Sequence, residues 1–189
     1  MFHQAIINIW QLWDIIYFLF TRLHYVDKGK NIFRVAVKKY RGEFIQTADG
    51  VNLERGDWYV QLHLHNVLLA RLLHQSPTQE FGWAITLRRC IFSSLPALVQ
   101  FINHHPHRNE IQVIVGTTLL HRNADRLGFE VSDIPNRVTR LVRSFTARCI
   151  FLLCHPNGLR EMLSRKNHLT PKRVFISKKK LNQFYGSGS

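Results

Sequence analysis

A chain of 189 residues is long enough for one well-buried core and short for two independent ones. With 46% hydrophobic and 20% charged residues, its composition is that of a globular protein and speaks against extended disorder. The formal net charge of +14 is unevenly placed: from Ile134 onward 12 basic residues face a single acid, Glu161, a net +11 that leaves +3 for the rest. Such a surface calls for an anionic partner, whether membrane headgroups, nucleic acid or an anionic polymer or cofactor, although a basic face also serves solubility. Cys90, Cys149 and Cys154 cannot all pair and have no zinc-ribbon spacing. Reduced thiols and the lack of a signal-peptide pattern set a cytoplasmic location as the expectation.

The first expected element is an amphipathic helix within residues 1–24, whose apolar side carries Ile6, Ile9, Trp10, Trp13, Ile16, Tyr17 and Phe20. Asn8, Gln11 and Asp14 interrupt the stretch, and 5–20 is too short for a transmembrane span. The stripe suits a core-facing helix, while Trp10, Trp13 and Tyr17 beside Arg22 also suit an interfacial one. Alternation over 32–40 predicts a strand, followed by a short strand at 44–47, a hairpin signal at Asp49-Gly50 and a strand at 58–64. These three read as an antiparallel meander. Helical patterns cover 67–73 and 83–102, the second with Ile85, Cys90 or Ile91, Leu95, Leu98 and Phe101 on its apolar side and Pro96 set to kink or divide it.

The run 111–131, IQVIVGTTLLHRNADRLGFEV, joins a strand at 111–115 to a Gly break, a polar turn, a short helical register and a terminating Gly128-Phe129. Thr, His, Arg and Asn side chains gather there where a strand ends and a helix begins, a place at which open α/β structures bind ligands. A basic amphipathic helix is expected from Asn136 to Cys154, with Arg137, Arg140, Arg143 and Arg148 opposite its apolar stripe. Then come a strand at 173–176, Ser177 as N-cap, a last helix at 178–185 and a flexible tail at 186–189.

His63 and His65 share a strand face at a spacing a metal site uses, with His121 and His155 as the candidate further ligands, but no Glu or Cys completes a set and no metal site is assigned. Asn66 contacts a ligand or caps the helix after it. The cluster His104-His105-Pro106-His107 reads as a solvated loop. No nucleophile elbow, GxGxxG or GxxxxGK[ST] motif is present, the acids form no close pair, and no RNP or helix-turn-helix pattern accompanies the arginines. Specific nucleic-acid binding is therefore not expected, and no cofactor is named.

Leu62-His63-Leu64-His65-Asn66, the block from Gly116 to Phe129, His155-Pro156-Asn157-Gly158 and Val174-Phe175-Ile176-Ser177 together resemble, in order, the YkoP-like domain. That domain occurs alone in Firmicutes and appended to polysaccharide deacetylases. The likeness covers nearly the whole chain, with GTTLLHR its most specific block. His65 stands where the family pattern has an acidic residue, which counts against a metal or acid/base role at that position. The resemblance implies a bacterial accessory domain linked to envelope polysaccharide, and it lends no deacetylase chemistry. The order of elements is also similar to that of GNAT-type acyltransferases, in which two strands splay to admit an acyl thioester. Here 66–71 contains no Gly, and the Asn and Tyr those enzymes often carry fall at Thr117 and Ala124, which implies an altered or lost acyl-CoA site.

The expectation is thus one α+β domain at 25–185, with a mixed sheet flanked by helices and of GNAT-like type. His63 and His121 are the candidate catalytic residues, and Asn66, Thr117, Thr118 and Arg122 the candidate ligand-binding ones. Arg137, Arg140, Arg143 and Arg148 are expected to dock on an anionic surface. The leading function is an accessory binding domain for an anionic ligand or acyl-carrying partner, an envelope-polysaccharide enzyme among the candidates, peripheral on the inner face of the membrane. The alternative is an acyltransferase with His63 or His121 as general base.

Overall fold

A computed structural model of the protein describes residues 23–27, 31–65, 68, 80–118, 121, 124–135 and 170–186. The helices expected within 1–24 and at 136–154 lie outside the described residues, as does that at 67–73 apart from Leu68. In chain order the elements are β1 (His24–Tyr25), β2 (Phe33–Lys39), β3 (Ile45–Gln46), β4 (Asn52–Leu53), β5 (Trp58–Leu64), α1 (Glu80–His104), β6 (Val113–Thr118), a 3-10 turn (Asp125–Leu127), β7 (Glu130–Ser132), β8 (Lys172–Ser177) and α2 (Lys178–Tyr185). Six strands form one mixed sheet in the order β1-β2-β5-β6-β8-β7, and β3 pairs with β4 in a small second sheet. Among the described residues β5 and β6 run parallel, while every other pair is antiparallel. The α+β class read from the sequence is the class observed.

Period-two alternation gives the sheet two apolar faces, which is why its central strands read as near-continuous hydrophobic runs. On one face Val35, Val60, Ile114 and Ile176 meet Leu95, Leu98, Val99 and Ile102 of α1 and Leu181 of α2. On the other Tyr59, Val113, Val115 and Phe175 meet Ile45 and Leu53 of the β3–β4 hairpin, together with Tyr40. Thus 44–47 does not continue a meander into 58–64. It folds back through the Asp49-Gly50 turn as a hairpin that roofs the second face, while β2 pairs directly with β5 from Phe33–Leu64 to Lys39–Trp58.

Helix α1 runs through Pro96 without division. The ring removes one backbone hydrogen bond, and burial of Leu95, Leu98 and Val99 around it offsets that loss. Of its expected stripe, Leu95 and Leu98 are buried and Cys90, Ile91 and Phe101 pack against the core, while Ile85 is exposed and Leu87 is buried in its place. The stretch 85–104 is long and apolar enough, by length and composition alone, to cross a membrane. Four of its apolar residues are instead packed on the sheet. Asn31 and Ser94 fix where α1 sits: the Asn31 amide donates to the Ser94 carbonyl at 2.9 Å, and the Ile32 N–H donates to the Ser94 hydroxyl at 3.3 Å.

The hairpin is pinned at its tip. The Ala48 N–H donates to both carboxylate oxygens of Glu130 on β7 at 3.0 Å, and the Ser177 hydroxyl donates to Asp49 at 2.6 Å. The same Ser177 oxygen accepts the Lys180 N–H at 3.0 Å, so the N-cap anticipated for α2 also holds the hairpin. Burial pushes the Asp49 carboxyl up, but hydrogen bonds from Ser177 and Thr47, its own backbone N–H and the charge of Lys179 outweigh this and hold it below the ordinary 3.8. A carboxyl lowered on folding contributes stability that is whole above 3.8 and is lost as pH falls through the lower folded value. Asp49→Ala is therefore expected to cost about 1 kcal/mol near neutrality. In urea melts across pH that deficit should shrink as the solution is acidified, and a deficit that persists unchanged at the acid end would count against the ionised relay.

Candidate functional site

The parallel pair sets the site. Its ladder runs only from Tyr59–Val113 to Leu62–Gly116. Beyond it β5 continues through Leu64, held by β2 at Phe33, and the His65 N–H donates to the Ile32 carbonyl at 2.7 Å. On the other side β6 continues through Thr118, held by β8 at Lys172. His63 and Leu64 on one lip and Thr117 and Thr118 on the other thus follow their outer neighbours and not each other. The sequence reading ended this strand at Val115 and made Gly116 to Thr118 a turn. These residues are strand, because their pairing with β8 outweighs the poor strand propensity of Gly.

A cleft of about 530 Å³, counted out to open solvent, lies at this divergence. Its walls are apolar, from Phe33, Leu62, Leu64, Ile91, Leu127 and Phe129. His63, Thr117 and Thr118 supply its polar groups, all half-buried. Gly116 keeps the floor low: a Cβ there would stand 3.3 Å from Val174 Cγ2 and 3.5 Å from the Leu62 carbonyl. The far wall is fixed by Gly128, whose φ of +81° ends the 3-10 turn and whose missing Cβ leaves room for the Phe184 ring. The Tyr185 hydroxyl donates to the Leu127 carbonyl at 3.1 Å and ties that wall to α2.

Of the residues chosen from sequence, His63, Thr117 and Thr118 are brought together here. His121 is half-buried and its carbonyl accepts the Ala124 N–H at 3.1 Å, which starts the turn carrying Ala124 into the cleft wall. Asn66, Arg122, Arg137, Arg140, Arg143 and Arg148 lie outside the described residues, as does His155. Among the described residues no group of three or more His, Cys, Asp or Glu is placed to hold a metal ion. The His104–His107 cluster is more structural than its composition implied. The His107 ring stacks on Trp58 at 3.8 Å and meets Glu110 at 2.8 Å, and the His105 ring accepts the His107 N–H at 3.1 Å. Burial, then His107 and His24, hold His105 below its ordinary value. Burial pushes the Cys90 thiol up, which lowers its thiolate fraction.

Sequence reasoning missed two arginines. The ladders set Tyr25, Arg34 and His63 side by side across β1, β2 and β5, and Thr117, Arg173 and Ser132 side by side across β6, β8 and β7. By alternation this row lies on the hairpin-bearing face. Arg34 is only 3% exposed, its guanidinium donates to the Tyr25 hydroxyl at 2.9 Å, and it lies 4.7 Å from that ring's centre. Arg173 is half-buried and donates to the Ser132 hydroxyl at 2.8 Å and the Tyr40 hydroxyl at 3.3 Å. The available signal was Arg34 itself, a cation set between Phe33 and Val35 in a strand buried on both faces.

The profile of the YkoP domain matches residues 3–185. The chain is 34% identical over 181 residues to a Bacillus subtilis (strain 168) protein described as "Uncharacterized protein YkoP", a match that covers 95% of each. No solved structure matches it. With a domain profile spanning nearly its full length and a relative aligned almost end to end, the chain belongs to the YkoP domain family.

Proposed function

We propose that this protein is an accessory binding domain of bacterial envelope-polysaccharide metabolism, whose ligand is anionic and carries an acyl or comparably apolar body. The observation that carries the reading is the cleft at the end of the parallel pair: an apolar slot with His63, Thr117 and Thr118 at one edge suits a ligand with an apolar body and a polar end. Thr117 and Thr118 supply hydrogen bonds, and Arg122 supplies charge. Arg137, Arg140, Arg143 and Arg148 are the residues read to dock on anionic headgroups at the inner surface of the membrane. A second reading draws on the same divergence of strands. In a GNAT-like fold such a gap admits an acyl thioester, and the protein would then be an acyltransferase with an altered acyl-CoA site and His63 or His121 as general base.

A thermal-shift series with acyl-CoAs of increasing chain length and with an acyl-carrier protein tests both. A ligand at 100 times its Kd stabilises by about 2.7 kcal/mol, so a clear rise in Tm is expected with longer chains. Gly116→Leu, which fills the floor of the cleft, should remove that rise. No shift with any acyl ligand would sink the acyl reading. A shift without release of free thiol in the presence of amine or sugar acceptors would leave binding and remove the transferase. Sedimentation with phosphatidylglycerol vesicles at low salt should exceed that with neutral vesicles, and equal sedimentation would remove the docking role.

A further inference from the structure

We infer that the outer face of α1 and α2, where Phe92 and Phe184 stand exposed among Arg88, Arg89 and Lys180, docks on the surface of an anionic bilayer. Single exposed apolar side chains are ordinary on a protein, but these are grouped by the fold. Ile85, Arg88, Arg89 and Phe92 follow at helical spacing, so they share one face of α1, the two apolar residues in line and an arginine to either side. Ile85 is 53% exposed and Phe92 57%, and both arginines are exposed. The Phe92 ring meets the Tyr185 ring of α2 edge-on at 5.6 Å, and Phe184, 58% exposed, lies 6.2 Å from that same ring. Lys180 stands one turn before Phe184. Two exposed phenyl rings are thus linked through Tyr185, with cations on both helices beside them.

Charge selects the partner. After Glu80, α1 and α2 carry no acidic residue, and among the described residues no carboxylate pairs with Arg88 or Arg89. A second copy of the chain would set these cations against themselves across a two-fold contact and bring another +14 with it, which opposes self-association. An anionic headgroup layer meets the arginines and the lysine, and the acyl boundary beneath it accepts the phenyl rings, the division of roles in an interfacial helix. The most apolar part of 85–104 is 33% buried, so much of it remains at least partly exposed. The face also borders the cleft: Ile91, next to Phe92, lines it, and the Tyr185 hydroxyl holds the Leu127 carbonyl of its wall. It shares no residue with the 137–148 stretch and does not depend on what the cleft holds.

The test is sedimentation of the full chain with vesicles of mixed phosphatidylglycerol and phosphatidylcholine at low salt, against vesicles of phosphatidylcholine alone. Phe92→Ser combined with Phe184→Ser is expected to weaken binding to the anionic vesicles about 10-fold, through lost apolar insertion. Arg88→Gln combined with Arg89→Gln should weaken it about 25-fold, each cation at an anionic surface contributing about 5-fold, and high salt should erase this difference. A phenylalanine pair that binds as the wild type does overturns this face and leaves docking through Arg137 to Arg148 standing. Equal sedimentation of the wild type with both vesicles overturns both. If ultracentrifugation shows a dimer that the phenylalanine pair dissociates, the face belongs to a second copy and the bilayer is overturned as its partner. Circular dichroism checks that the variants fold. Should the phenylalanine pair be unfolded, the arginine pair decides, and its binding as wild type would overturn the face.

Discussion

The parallel pairing of β5 with β6, set among antiparallel pairs in the described sheet, governs this fold. Parallel strands cannot be joined by a tight turn, so β5 and β6 require a long crossover, and α1 within that crossover delivers Leu95, Leu98, Val99 and Ile102 to one face of the sheet. Parallel neighbours also share the direction in which they end. His63–Leu64 and Thr117–Thr118 therefore emerge side by side, and each lip is drawn toward its own antiparallel partner once the shared ladder stops at Leu62–Gly116. A cleft at that point follows from topology, and its apolar lining follows from the alternation that already puts Leu62, Leu64 and Val174 on the helix side.

The opposite face depends on a hairpin too small to stand alone. With two residues in each strand, β3 and β4 gain stability only by docking. Leu53 and Ile45 supply apolar contact, while Glu130 and Ser177 grip the tip at Ala48 and Asp49. Ser177 matters twice, because one buried hydroxyl accepts from the first turn of α2 and donates to the hairpin. Helix side and hairpin side are thereby coupled through the end of β8, the strand that also presents Arg173 and Val174 to the two sides of the gap.

The fold was legible where local patterning and tertiary demand agree. The boundaries of β5 and α2 and the cap at Ser177 are those the alternation, periodicity and capping rules give. The reading failed where long-range pairing decides. Gly116 looked like a break, yet it is a strand residue because β8 pairs with it and because a side chain there would press on Val174. Asp49-Gly50 did mark a hairpin turn, but which strands it joined was not local information. At the site, His63, Thr117 and Thr118 stood out by type and position. Arg34 and Arg173 did not, because a basic residue among many carries no signal until the ladders place it beside His63 or Thr117.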